Sequence, residues 1–322
     1  MGDSSAAIRV ETRRSGQVEN HASPIVMEEK QVFYKYMSAA TAHIVLANQT
    51  LRWSTPGTLN DPYDMQFDLR YEVDRDVVRR LALEKLWEAY RGAPVAVGNI
   101  LGVLVQAIRA KLPNMQREEF EANYAEAIFE SMDKLEGALP RLNADVRSQL
   151  ASSKILCLTE SPDNPVMWTH YADTHSGVVI RLRDYPEFDS PYRTAKPVNY
   201  VAETPRLVDE EFLSDMLSGR TSFNVKALLE RLVYTKSVGW SYEREWRIYS
   251  GNGRRKDAPH EDLRFGSFEL DAVLFGLNIS DKDRISLMHL VRKMYPHAEL
   301  LRASRSPDAF GMIFLPIDDG PA

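Results

Sequence analysis

Cysteine is nearly absent from this chain: there is one, Cys157, in 322 residues. A single thiol cannot close an internal disulfide, so nothing points to an oxidising compartment, and a zinc site built from several thiolates is excluded. Cys157 lies in the apolar run Ile155-Leu156-Cys157-Leu158, where a buried core thiol is expected. Long apolar runs are missing too. No stretch reaches the roughly 18 consecutive apolar residues of a membrane-spanning helix. Residues 1–17 lack the apolar centre of a secretory signal, so the expected location is the cytoplasm, with no membrane partner. Positive charge is not in excess: 40 Lys and Arg stand against 46 Asp and Glu, a net charge of −6, which argues against broad electrostatic capture of nucleic acid. There is no phosphate loop, no Gly-x-Gly-x-x-Gly after a strand and no Gly-x-Ser-x-Gly elbow. His170 and His175 are five apart and lack the i,i+4 spacing of a helical metal pair, so no metal is expected.

What is present is enough apolar material, 44% of residues, for a sizeable core in one large domain or two small ones. Residues 1–28 are small, polar and charged, and read as a disordered lead. Residues 29–73 read as the first part of an α+β core. Strands are expected at Val32–Tyr36 and Leu51–Ser54, around a short helix from Ala39 capped by Ser38, with a further strand within Phe67–Val73. Between them, Asn60-Asp61-Pro62-Tyr63-Asp64 reads as a rigid polar turn. Residues 74–150 repeat apolar residues every three or four positions, as in Val77, Val78, Leu81 and Leu86. They form an inserted helical block or subdomain, divided or bounded by Pro94, Pro113 and Pro140.

Residues 151–318 return to mixed structure. Strands are expected at Lys154–Thr159, Val178–Leu182, Val198–Tyr200, Trp240–Tyr249, Leu270–Phe275, Ala298–Arg302 and Met312–Leu315. Helices are expected from Asn164-Pro165 and over Glu210–Leu217, Val225–Tyr234 and Asp281–Met294. The fold class is therefore α+β: a mixed, mainly antiparallel sheet with flanking helices and the inserted block.

Three clusters carry candidate chemistry. Read as one strand, Trp240–Ile248 places Glu243, Glu245 and Arg247 on one face, with the two carboxylates about 7 Å apart. Such a pair suits general acid–base work or stabilisation of a cationic sugar transition state; it equally suits a solvated, salt-bridged face. In the proline turn, Asn60, Asp61 and Asp64 offer hydrogen-bond acceptors or metal ligands, or simply turn chemistry. Trp168 and Tyr171, at i,i+3 on a short helix, offer an aromatic wall for a flat ligand, or core. Lys35, between Tyr34 and Tyr36, is a weaker fourth candidate. The loop Gly251-Asn252-Gly253-Arg254-Arg255-Lys256 is basic and flexible, and reads as a solvated turn able to touch phosphate.

In order, Tyr34-Lys35-Tyr36, Asn60-Asp61-Pro62-Tyr63-Asp64, the Met167–Val178 segment Met-Trp-x-x-Tyr-Ala-Asp-x-His-x-Gly-Val, and Lys-x-x-x-Trp-x-Tyr-Glu-x-Glu-Trp-Arg from Lys236 resemble the bacterial domain of unknown function 2971 family. The likeness covers about Phe33 to Tyr249 outside the helical block, which is longer than usual for the family. More loosely, the layout is similar to ADP-ribosyltransferase-like domains. That likeness implies NAD as substrate, Glu245 as catalytic carboxylate and Glu243 as its helper. It also implies Lys35 near the anchor position usually held by Arg or His, with Tyr36, Ser54, Asn60, Asp61, Trp168, Tyr171 and Arg247 around the ligand. The function it implies is ADP-ribosyl transfer to a protein or nucleic-acid acceptor, or NAD glycohydrolysis, as in a toxin or phage-defence effector. Two alternatives stand beside it. One is a non-catalytic sensor or partner-binding module of a defence system, using the helical block as its surface. The other is a metal-dependent nuclease with Asp61, Asp64, Glu243 and Glu245 as ligands.

Overall fold

A computed structural model describes residues 31–97, 99–185 and 187–317. The expected lead over residues 1–28 lies outside them. The chain opens with strand β1 (Val32–Met37), helix α1 (Ala39–Asn48) and strand β2 (Thr50–Ser54). Ser38 caps α1 by accepting from the Thr41 amide, as its position before an apolar run demands. Three helices follow: α2 (Arg75–Arg91), α3 (Ile100–Lys111) and α4 (Arg117–Ala151). Asp74 caps α2 by accepting from the Asp76 and Val77 amides, and Gly92 closes it at φ 112°, a conformation that favours glycine.

The second half brings β3 (Ile155–Thr159), α5 (Pro165–Tyr171), β4 (Val178–Arg183), β5 (Lys196–Pro197) and β6 (Asn199–Val201). Then come α6 (Glu210–Leu217), α7 (Val225–Val233), β7 (Thr235–Ser237), β8 (Glu245–Tyr249) and β9 (His260–Arg264). The chain closes with β10 (Leu270–Phe275), α8 (Asp281–Met294), β11 (Glu299–Arg305) and β12 (Met312–Pro316).

The main sheet runs β12-β11-β10-β4-β1-β3-β2-β9, with β8 also paired to β3 and β5 to β8. Its pairs are antiparallel except β10 with β11; β6 and β7 form a separate parallel pair. This is the expected α+β class. Side-chain alternation divides the core. Leu156 and Leu158 of β3, Val178, Ile180 and Leu182 of β4, and Val273 and Phe275 of β10 pack toward α1 and α8. Ile155 and Cys157 of β3 pack instead with the helical block, α6 and α7. Tyr36, Val179 and Leu274 turn to a third cluster, built on α5.

Three expectations are corrected. Phe67–Val73 forms no strand, only an isolated bridge between Arg70 and Arg206. Its backbone is satisfied elsewhere: the Leu69 amide donates to Asn143 Oδ1 (3.0 Å), and Asn143 Nδ2 donates back to the Leu69 carbonyl (3.3 Å). Pro140 does not divide the block but lies inside α4. Buried Met132 before it, with Val146 and Leu150 after it, hold the helix across the missing N–H donor. Trp240–Tyr249 is not one strand. Val238–Glu243 is a 3-10 turn, Arg244 is left-handed at φ 46°, and only Glu245–Tyr249 extends. Pairing with β3 starts only at Thr159↔Glu245, where β3 ends.

Candidate functional site

The polar centre of the molecule is a buried ion cluster around Arg247. This side chain lies on β8 opposite Cys157 and is wholly buried. Its Nε and Nη2 donate to Glu245 (2.8 and 2.9 Å). Its two Nη atoms donate to Asp64 (3.0 and 2.5 Å), and Nη1 also donates to the Val233 carbonyl (2.6 Å). All five N–H donors of the guanidinium are thereby used. Lys236, on β7, supplies the second cation. Its Nζ lies 2.5 Å from Glu243, 3.1 Å from Glu245 and 3.7 Å from Asp64. The Lys236 ammonium also sits 5.0 Å from the centre of the Trp240 ring.

Three carboxylates thus share two cations, and their environments separate them. Burial alone would raise all three carboxyls. Around Glu245 the charges of Arg247 and Lys236 outweigh burial and hold its carboxyl at about 2. For Asp64 and Glu243 burial wins, and both are raised above the ordinary carboxylate range, with Arg247 and Lys236 respectively opposing it. Burial would lower the Lys236 ammonium, but Glu245, Glu243 and Asp64 push it up.

Glu243 is the member of the cluster that reaches outward. One of its oxygens is held by Lys236; the other accepts from the Tyr171 hydroxyl, which itself accepts from Asn60 Nδ2 (2.7 Å). Burial and then Glu243 drive the Tyr171 hydroxyl far above its ordinary pKa, so it stays protonated as a donor. Glu243, Glu245, Tyr171, Lys35 and Tyr36 line a small cleft of about 70 Å³. Lys35 Nζ donates to the Cys157 carbonyl (2.6 Å), and Tyr36 Oη to the Ser161 carbonyl (2.9 Å).

Five of the candidates read from the sequence therefore meet at one cleft, and Asn60 joins them through Tyr171. The others sit elsewhere. Arg247 is behind the cleft, spent on Glu245 and Asp64. Trp168 is wholly buried, with Nε1 donating to the Pro162 carbonyl (2.8 Å) and its ring edge-on to Tyr36 at 5.4 Å. It backs the cleft rather than facing a ligand. Ser54 ends β2, paired with Ile155 and His260, away from the cleft. Asp61 is buried, accepts from the Tyr63 amide (2.9 Å), and lines a neighbouring cleft of about 240 Å³ with Asp64, Lys236 and Trp240.

Oxygens of Asp64, Glu243 and Glu245 that would hold Mg²⁺ are engaged by Lys236 and Arg247. Among the described residues no group of three or more His, Cys, Asp or Glu is placed to hold a metal ion.

Sequence reasoning missed Lys236 as a site residue. It lies on a three-residue strand too short to show a period. The available signals were its place at the head of the Lys-x-x-x-Trp-x-Tyr-Glu-x-Glu motif and its position seven and nine residues before two glutamates. Tyr200 was missed as well; its hydroxyl accepts from the Glu245 amide (2.8 Å) and fixes the start of β8.

The family model described as Protein of unknown function (DUF2971) matches residues 167–248. That span runs from α5 through nearly all of β8 and contains Tyr171, Lys236, Glu243, Glu245 and Arg247. It bears out the resemblance to the domain of unknown function 2971 family there; β1, β2 and the Asn60–Asp64 turn lie outside it. No curated protein and no solved structure matches the chain. Among the described residues, no helix is long and apolar enough to cross a membrane.

Proposed function

We propose that the cleft acts on an N-glycosidic bond, with NAD as substrate and Glu243, rather than Glu245, as the acting carboxylate. The observation that carries this reading is the convergence of separate chain segments on one cleft. Lys35 and Tyr36 come from β1, Tyr171 from α5, and Glu243 from the turn before β8, and the Glu243 carboxyl has a raised proton affinity. Breaking the bond between ribose C1′ and the nicotinamide nitrogen leaves positive charge on the ribose. A carboxylate beside that charge lowers the barrier, and a single preorganised electrostatic contact of this kind contributes about 3 kcal/mol. Glu245 is disfavoured for this role because both its oxygens are bound by the buried Arg247 guanidinium, whereas one Glu243 oxygen is held only by the Tyr171 hydroxyl, which lines the cleft.

A cleft of about 70 Å³ is well below the ~300 Å³ at which pockets begin to enclose a whole ligand. The enclosed contact is thus confined to the ribosyl end. The rest of the dinucleotide lies outside it, on the side where exposed Asn60 and His170 neighbour Tyr171, and a water, protein or nucleic-acid acceptor enters there too. The test is nicotinamide release from NAD by wild type and Glu243→Gln, with and without cell lysate. Wild type is expected to release it, and the variant to lose roughly a hundredfold while keeping its fold. No release and no NAD binding by wild type in either condition would sink the reading.

A second reading, a partner-binding module, is favoured by α3. Ile100, Val103 and Leu104 are 76%, 58% and 51% exposed, so the helix turns apolar residues outward. A photo-crosslinker at Val103 is then expected to capture a protein that Leu104→Glu loses. Equal capture from exposed Lys134 would count against it.

A further inference from the structure

A larger cleft of about 620 Å³ lies between the β2–β9 edge of the sheet and the Pro191–Thr194 turn. It shares no lining residue with the Glu243 cleft. Its size is within the range of pockets that enclose small ligands. The wall is apolar and aromatic, with Trp53, Tyr192 and Phe265 beside Leu156. Tyr192 is 1% exposed, and its buried hydroxyl has no hydrogen-bond partner among the described residues.

Of the three charged side chains that line the cleft, two are basic. Arg254, from the basic Gly251–Lys256 loop, and Arg264, at the end of β9, both line it, and neither makes an ion pair among the described residues. The acid of the lining, Asp262, is already paired with Arg52 at 3.2 Å. Glu261 beside it accepts from the Arg255 amide and also feels the charge of Arg254, without forming an ion pair with it. A smaller depression of about 340 Å³ shares Arg254, Asp262 and Leu263 with the cleft and adds Arg255, His260 and Glu261. An aromatic slot whose mouth carries two unpaired guanidinium groups matches a ligand with an apolar body and an anionic head.

We propose that this cleft binds a small amphipathic anion, its apolar body against Trp53, Tyr192 and Phe265 and its carboxylate or phosphate head on Arg254 and Arg264. Both arginines are exposed, so reversing their charge leaves the core untouched. The test titrates the full chain with decanoate, decyl phosphate and decanol by calorimetry. Each anion is expected to bind at least about tenfold tighter than decanol, and the preference between the two anions assigns the head group. In Arg254→Glu/Arg264→Glu that advantage disappears while the melting temperature is unchanged. Half-buried Leu263→Trp, which fills the slot, is expected to abolish binding of both anions. Anions no tighter than decanol, wild-type affinity in either variant, or no binding at all would overturn the proposal.

Discussion

Arg247 and Asp64 stand 183 positions apart and meet in a two-pronged ion pair of 3.0 and 2.5 Å, both side chains essentially sealed from solvent. The contact pins the Asn60–Asp64 turn to β8, so the two ends of the candidate site arrive together. Removing one partner strands buried charge on the other. Arg247→Met is expected to cost roughly 3–5 kcal/mol in urea unfolding. Arg247→Lys is expected to rescue it only in part, because an ammonium cannot reach Glu245 and Asp64 as two parallel pairs. A loss below about 1 kcal/mol for Arg247→Met would show that the cluster does not hold the core.

The carboxyls of the cluster give opposite signs to the dependence of stability on pH. Glu245 is held at about 2 against an ordinary 4.5, so its contribution is fully present above pH 4.5 and is lost as pH falls toward 2. Glu243 is raised, so its contribution is full below its ordinary value and is lost as pH rises through its native one. Glu245→Gln should therefore flatten the acid limb of the urea midpoint between pH 4.5 and 2 and lose a few kcal/mol at pH 7. Glu243→Gln should weaken the opposing trend above pH 4.5, leaving the part that the raised Asp64 carboxyl contributes. An acid limb in Glu245→Gln parallel to wild type would contradict the assignment.

Burial, reinforced by Glu245, pushes the Cys157 thiol up to about 12. The thiolate is the reactive form, so native protein should react with a disulfide reagent at pH 8 at least about a hundredfold more slowly than urea-unfolded protein. Comparable rates in the two states would place the thiol in solvent.

Asn164 does two things at the start of α5. It accepts from the Val166 and Met167 amides as a cap, and its Nδ2 donates to the Tyr242 carbonyl at 2.7 Å. Asn164→Ala is expected to cost about 1–2 kcal/mol in thermal unfolding and to loosen the turn that carries Glu243. An effect confined to a few tenths would leave only a dispensable cap.

Legibility followed the range of the physics. Ser38 before an apolar run, Asn164-Pro165 and the periodic stretch Asp281–Met294 signal their elements within a few residues, and each element is found there. β9 and β7 were not legible. His260–Arg264 is a charged edge strand without apolar alternation, and Thr235–Ser237 is too short to show any. The Trp240–Tyr249 alternation misled in its first half. Side-chain period says nothing of the left-handed residue Arg244, which reverses the backbone where the partner strand stops.

By itself the sequence determined the α+β class, the helical block, the polar Asn60–Asp64 turn and the presence of two neighbouring glutamates, because caps, period and composition act locally. Only the tertiary structure decided how the surroundings of those two glutamates differ. Glu243 and Glu245 are chemically identical side chains two positions apart. They differ because β3 seats Arg247 beneath one while Tyr171, from α5, meets the other. A carboxyl's proton affinity is set by charges within a few ångströms of it in space, and those charges come from positions 64, 236 and 247.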